Sequence, residues 1–207
     1  MPIAGAVASL KAKAAQCDSL IASAHRVGVN GAPLFVAAEQ DMITVAGFLN
    51  LFVAWEEFLE TAMSQFMIGI LTLSGNAPVR YATPPDVEVA KRMLIGVNKY
   101  VDFANHDVVR KMAALYFQNG YPFEPHLSGI ATDLADLRTM RNASAHLSST
   151  TQRALESLAQ RIFGVPHPGI TLYAMLTAVD PRSAAGATVF AEARDKLLAT
   201  AQAVANG

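Results

Sequence analysis

Ile3, Val7, Leu10, Ala14, Cys17, Ile21 and Ala24 recur at alternating steps of four and three, with polar residues between them. That period lines the apolar side chains along one seam and predicts a helix over residues 3–24, with Pro2 at a permissible first-turn position. After the glycines and proline of Gly28 to Pro33, a longer segment runs from Phe35 to Leu73. There Val45, Phe48, Phe52, Trp55, Leu59, Met63, Phe66, Ile70 and Leu73 form a broad core face at helical spacing. Gly75-Asn76-Ala77-Pro78 ends it, and Pro84-Pro85-Asp86 opens the next helix, which carries Val89, Met93, Val97, Tyr100 and Val101. Asn105 marks a break, Asp107 falls in a new first turn, and the pattern resumes through Val108, Met112, Leu115 and Tyr116 to Gly120. Tyr121 to Pro125 reads as a loop.

A further helix is predicted from Leu127 to about His146, on the stripe Leu127, Ile130, Leu134 and Leu137. Ser149 and Gln152 have capping-box spacing and open a helix through Leu155, Leu158 and Ile162 that stops at Gly164. Residues Ile170 to Val179 fit a short helix or a strand. Pro181 and Ser183 precede a last helix through Val189, Ala193, Leu197, Ala201 and Val204. No hairpin chemistry and no long internal repeat is visible. The pattern predicts an all-α, up-down helical bundle, divided into a seam helix at 1–28, a helical core at 34–164, and a loop and C-terminal helix at 165–207 packed on the same domain.

Composition narrows the picture. The 207 residues are 52% hydrophobic and 16% charged, with a formal net charge of −1. This excludes a strongly basic nucleic-acid binder and an acidic disordered chain. Cys17 is the sole cysteine, which excludes an internal disulfide and a cysteine-rich zinc site. A mean hydropathy of +0.28 raises the membrane question. Met42 to Trp55 is charge-free for 14 residues and then meets Glu56, Glu57 and Glu60. Thr61 to Val79 is interrupted by polar residues and closed by Pro78. Neither reads as a span, so the surplus apolar surface points to a subunit interface. No Lys or Arg precedes the first apolar stretch, unlike a secretory signal, and a cytoplasmic location is expected.

Glycine-rich phosphate loops, an HExxH zinc helix and a GxSxG elbow are absent. The five histidines are scattered, so neither a metal nor a cofactor is expected. Arg138-Thr-Met-Arg141-Asn142-Ala-Ser-Ala-His146 stands out. The next step of the Leu127–Leu137 stripe lands on Arg141, and a guanidinium there must pair or face a cleft. Asn142 and His146, four apart, share a face, whereas Arg141 and His146 lie about 140° apart around a helix. Two copies meeting across a symmetric interface, or a distorted helix end, would bring them to one ligand. Leu137 to His167 holds Arg138, Arg141, Arg153 and Arg161 against Glu156 alone. Val27 to Val79 holds Glu39, Asp41, Glu56, Glu57 and Glu60 with no Lys or Arg. Acidic and basic helices of this kind suit packing in which Glu57 or Glu56 orients an arginine or His146. The alternative is that Arg141 binds a carboxylate of the Phe35–Leu73 helix and His146 merely ends a helix.

Arg141-Asn142-Ala-Ser-Ala-His146 resembles the Arg-polar-xxx-His motif of HEPN domains, helical and usually dimeric proteins that include many metal-independent endoribonucleases. The lead-in from Leu134 is similar to that family's approach to the motif. Trp55-Glu56-Glu57-Phe58-Leu59 resembles the Trp-Glu-x-Phe-Leu segment of its RiboL-PSP-type branch. The resemblance covers residues 45–162. It implies cleavage of single-stranded RNA by the 2′-OH at a site shared by a homodimer, with Arg141, Asn142 and His146 catalytic and a 2′,3′-cyclic phosphate product. Arg138 and Arg153 would bind RNA and Glu57 would orient the site. A toxin- or defence-like role with a neutralising protein partner also follows from the resemblance. A catalytically inactive dimeric scaffold, or an interaction module that docks a partner helix on the Ile3–Ala24 seam, is the competing reading.

Overall fold

The computed structural model describes residues 2–97, 99–145 and 148–207. Among the described residues the chain is all-helical: α1 (Ile3–Ala24), α2 (Ala37–Met67), α3 (Val87–Ile95), α4 (His106–Tyr116), α5 (Phe123–Gly129), α6 (Ala131–Ala145), α7 (Ser149–Phe163), α8 (Leu172–Thr177) and α9 (Val189–Asn206). The helices assemble two units from non-consecutive stretches. The first comprises residues 1–11, 54–135 and 197–207, and the second residues 12–53 and 136–196.

In the first unit the second half of α2 supplies the core: Phe58, Leu59, Ala62, Met63, Phe66 and Met67 are all buried. Phe123 stands edge-on to Phe66 with ring centres 5.9 Å apart, and Phe117 lies at the same distance from Phe123. Truncating one such fully buried ring to Ala costs about 3–5 kcal/mol. Asp86 caps α3 by accepting the Val89 amide at 2.8 Å, and Asn105 caps α4 by accepting from Asp107 at 3.1 Å. Arg80 donates to the Met67 carbonyl at 2.9 Å and so closes the C-terminal end of α2. Gly69 (φ +96°) lets it do so, because a Cβ there would meet the guanidinium at 2.8 Å.

In the second unit α1 and the first half of α2 pack closely at Gly47, where a Cβ would strike Ile21 at 2.9 Å. Phe48, Leu51 and Phe52 of α2, Leu155, Leu158 and Ile162 of α7, and Met175 and Leu176 of α8 are buried. Arg194 of α9 reaches Asp18 of α1 at 2.7 Å. Gly164 ends α7 in the left-handed conformation.

The α1 seam is buried as predicted, apart from a half-buried Ile21, so the chain itself occupies the face considered for a partner helix. Several expected boundaries shift. The helix expected from Leu127 to His146 is two helices, since Ile130 leaves helical geometry at φ −120° and ψ 23°. The expected loop Tyr121–Pro125 gives way at Phe123, whose burial starts α5. The α7 capping box is formed by Ser148 and Thr151, one residue before Ser149 and Gln152. Within the 170–179 stretch, Leu172–Thr177 forms α8, and Val179 pairs with Thr188 in an isolated bridge. Over its most apolar 18 residues α2 has a mean hydropathy of 1.4, enough by length and composition to cross a membrane, and half of that window is buried in the protein.

Candidate active site

The Arg138–His146 segment lies at the end of α6, whose described turns carry Arg138, Arg141, Asn142 and Ser144. The buried line of this helix is Leu134, Leu137, Met140 and Ala143. Each three-residue step turns that line back by about 60° around the axis, whereas the expected four-residue step would advance it onto Arg141. The core therefore rotates away, and Arg141 stands half-buried beside it rather than on it.

Arg141 Nη1 donates to the Asn142 side-chain oxygen at 3.4 Å, and the Ser144 hydroxyl donates to the Arg141 carbonyl at 2.6 Å. Among the described residues of its unit, no carboxylate pairs with Arg141. The arginine that does pair is Arg161 of α7, which bonds Asp136 of α6. The Asp136 side chain is 11% exposed and that of Arg161 48%. Asp136 precedes the basic stretch by a single residue, so the local surplus of positive charge is smaller than a count from Leu137 suggests. Because the partners are 25 positions apart, no local spacing announces this pair.

Glu156, the one acid inside the basic stretch, is committed elsewhere. Its carboxylate accepts the Gly169 amide at 2.7 Å and the Gln152 amide at 3.0 Å, tying down the loop after α7. The Gly169 bond, then the Gln152 bond, holds its carboxyl below the usual carboxylate range. Arg138 is half-buried and Arg153 exposed. His146 lies outside the described residues, so the expected Asn142–His146 face does too.

Glu57 is exposed on α2 in the first unit, while Arg141 belongs to the second. With Ser9, Glu60, Thr61 and Lys91 it walls a groove of about 370 Å³, in which Lys91 stands 3.8 Å from Glu60. His25 contacts the Ile21 carbonyl and the Tyr173 hydroxyl. His167, in the loop after α7, packs edge-on to Phe163 with ring centres 5.0 Å apart. Among the described residues, no three His, Cys, Asp or Glu side chains gather as a metal-binding group. Compared with known protein families, curated proteins and solved structures, the chain has no match.

Proposed function

We propose that the chain is a metal-independent endoribonuclease of the HEPN type, cutting single-stranded RNA at a site completed by a second copy. Arg141 carries the reading. Arg110, Arg161, Arg182 and Arg194 all close onto carboxylates. Arg141 closes onto a neutral carboxamide and keeps part of its surface open at the end of α6. A guanidinium so placed keeps its full charge and its planar set of donors, which match two phosphate oxygens.

The chemistry needs no metal-activated water, because RNA carries its own nucleophile. The 2′ oxygen attacks the adjacent phosphorus while the bond from phosphorus to the 5′ oxygen breaks. The 2′ proton passes to a base, the 5′ oxygen takes a proton from an acid, and a 2′,3′-cyclic phosphate remains. His146 is the group whose ordinary pKa, near 6.5, suits either proton transfer. Arg141 offsets the charge that builds on the phosphate oxygens. Asn142, whose oxygen accepts from Arg141, has its amide N–H groups to offer the same phosphate. Arg138 and Arg153 would follow the backbone on either side.

Purified protein incubated with single-stranded RNA in EDTA tests this directly. Cleavage leaving cyclic phosphate ends is expected, with the corresponding DNA untouched. His146→Ala should slow cutting by about 10²–10⁴-fold. Intact RNA after incubation with folded protein would sink the nuclease and leave a dimeric scaffold.

A further inference from the structure

Opposite its buried side, α2 carries a second apolar line: Met42 (66% exposed), Ala46, Leu49 and Val53 (51% exposed). The steps are four, three and four, so the side chains fall within about 60° of one another around the axis. Thr44, Phe48, Leu51 and Phe52, on the other side of the same turns, are buried. A four-three-four line is a seam into which another helix packs its side chains. Beside it, α1 and α2 enclose a trough of about 460 Å³ lined by Gln16, Leu20 and Ser23 of α1 and Asn50 of α2, with Lys13 its one charged wall residue. Leu20 is 45% exposed and extends the apolar surface across the trough.

Charge selects the occupant. Every charged residue of α2 is acidic: Glu39 and Asp41 before the seam, then Glu56, Glu57 and Glu60. A second copy laid antiparallel along the seam sets Glu39 against the stretch ending in Glu56. A parallel copy sets Glu39 against Glu39. Both bring like charges together, which costs affinity. An anionic bilayer is repelled for the same reason. We infer that this seam and trough bind an amphipathic helix of a partner protein, with apolar residues at four-three-four spacing and Lys or Arg at the end that meets Glu39 and Asp41.

The test uses a synthetic helical peptide of roughly 20 residues, long enough to span the seam, with leucines at that spacing and lysines at both ends. A twin peptide replaces the lysines with glutamates. By fluorescence anisotropy against the full chain, the lysine peptide should bind about tenfold more tightly, and the gap should close in high salt. Val53→Glu and Met42→Glu alter exposed positions, so each should weaken binding at least as much with an unchanged melting temperature. Five results would overturn the inference: equal affinity for both peptides, binding of neither, binding retained by Val53→Glu, partition of the chain into phosphatidylglycerol vesicles, or self-association that Val53→Glu abolishes, the last in favour of a second copy. None of these readouts depends on RNA cleavage.

Discussion

The second turn of α6 and its last described turn lie a few residues apart and use the same kind of side chain differently. At Asp136, Arg161 from the last turn of α7 neutralises a carboxylate almost wholly removed from water. At the helix end, Arg141 has Asn142 for a neighbour and no acid of its own unit. A buried carboxylate needs a cation, since burying it alone is far more costly than burying the pair. A half-buried cation beside an amide has no such obligation and suits an anion that arrives from outside. The first arrangement answers a demand of folding, and the second leaves a demand open.

Truncating each arginine separates the two uses. Arg141→Ala should give the largest effect, a loss of about 10²–10³ in RNA cleavage rate with the melting temperature unmoved, as for removal of one transition-state donor. Arg161→Ala should do the reverse. It removes the guanidinium from a nearly buried carboxylate and should cost about 1–3 kcal/mol of stability while leaving cleavage near wild type, read by chemical denaturation beside the activity assay. Equal loss of stability in both variants would erase the distinction and return Arg141 to the fold.

How much of this was legible in the sequence follows from the range of each interaction. The α1 seam, the helix start after Asp86, the break at Asn105 and the stop at Gly164 depend on neighbours within a turn or two, and the structure has them where the pattern puts them. The break at Ile130 and the rotation of the α6 core onto Met140 and Ala143 depend on which elements α6 crosses. A four-three stripe counted along one chain cannot register a crossing. The same holds for Asp136, whose partner is remote in sequence, and for the outward line of α2. The sequence shows that line only as part of a charge-free apolar stretch, and Met42 and Val53 gain a face of their own once the buried side of α2 is known. Arg141 and Asn142 were legible as residue types, and their setting came from packing.

Acid should sharpen the contrast on a smaller scale. Glu124 is held below the usual carboxylate range first by its bond from Arg110, and Asp180 likewise by Arg182. A carboxyl whose native pKa is depressed stabilises the fold above its unfolded pKa, and that contribution drains away as pH falls through the native value. From about pH 4 downward, therefore, stability should fall by about 1 kcal/mol for each pair, Glu124 and Arg110 being partly exposed and Asp180 buried beneath an exposed Arg182. Glu124→Gln and Asp180→Asn should flatten that limb, as followed by urea midpoints between neutral pH and pH 3. Arg141→Ala should leave it unchanged, having no carboxylate to release. An Arg141 variant with a flattened acid limb would show that its guanidinium holds an acid after all.

The smallest effect belongs to His126 on α5, whose Nε2 is buried without a partner among the described residues. Burial pushes its pKa below the ordinary imidazole value, so the native ring resists a proton that the unfolded chain accepts. Above about pH 6.5 both states are neutral there and the ring contributes no pH dependence. As pH falls through that value, the unfolded state binds more protons than the native one, and stability declines until the native ring also titrates. The direction in pH matches that of the acid pairs, but the limb begins about two units higher and comes from exclusion of charge, where theirs comes from its capture. Urea midpoints at pH 7.5 and 5.5 should show a modest drop in the wild type and little in His126→Gln, with cleavage by both proteins the same at neutral pH. An equal drop in the two proteins would mean that another group carries this limb and that the His126 ring takes up its proton without hindrance from the fold.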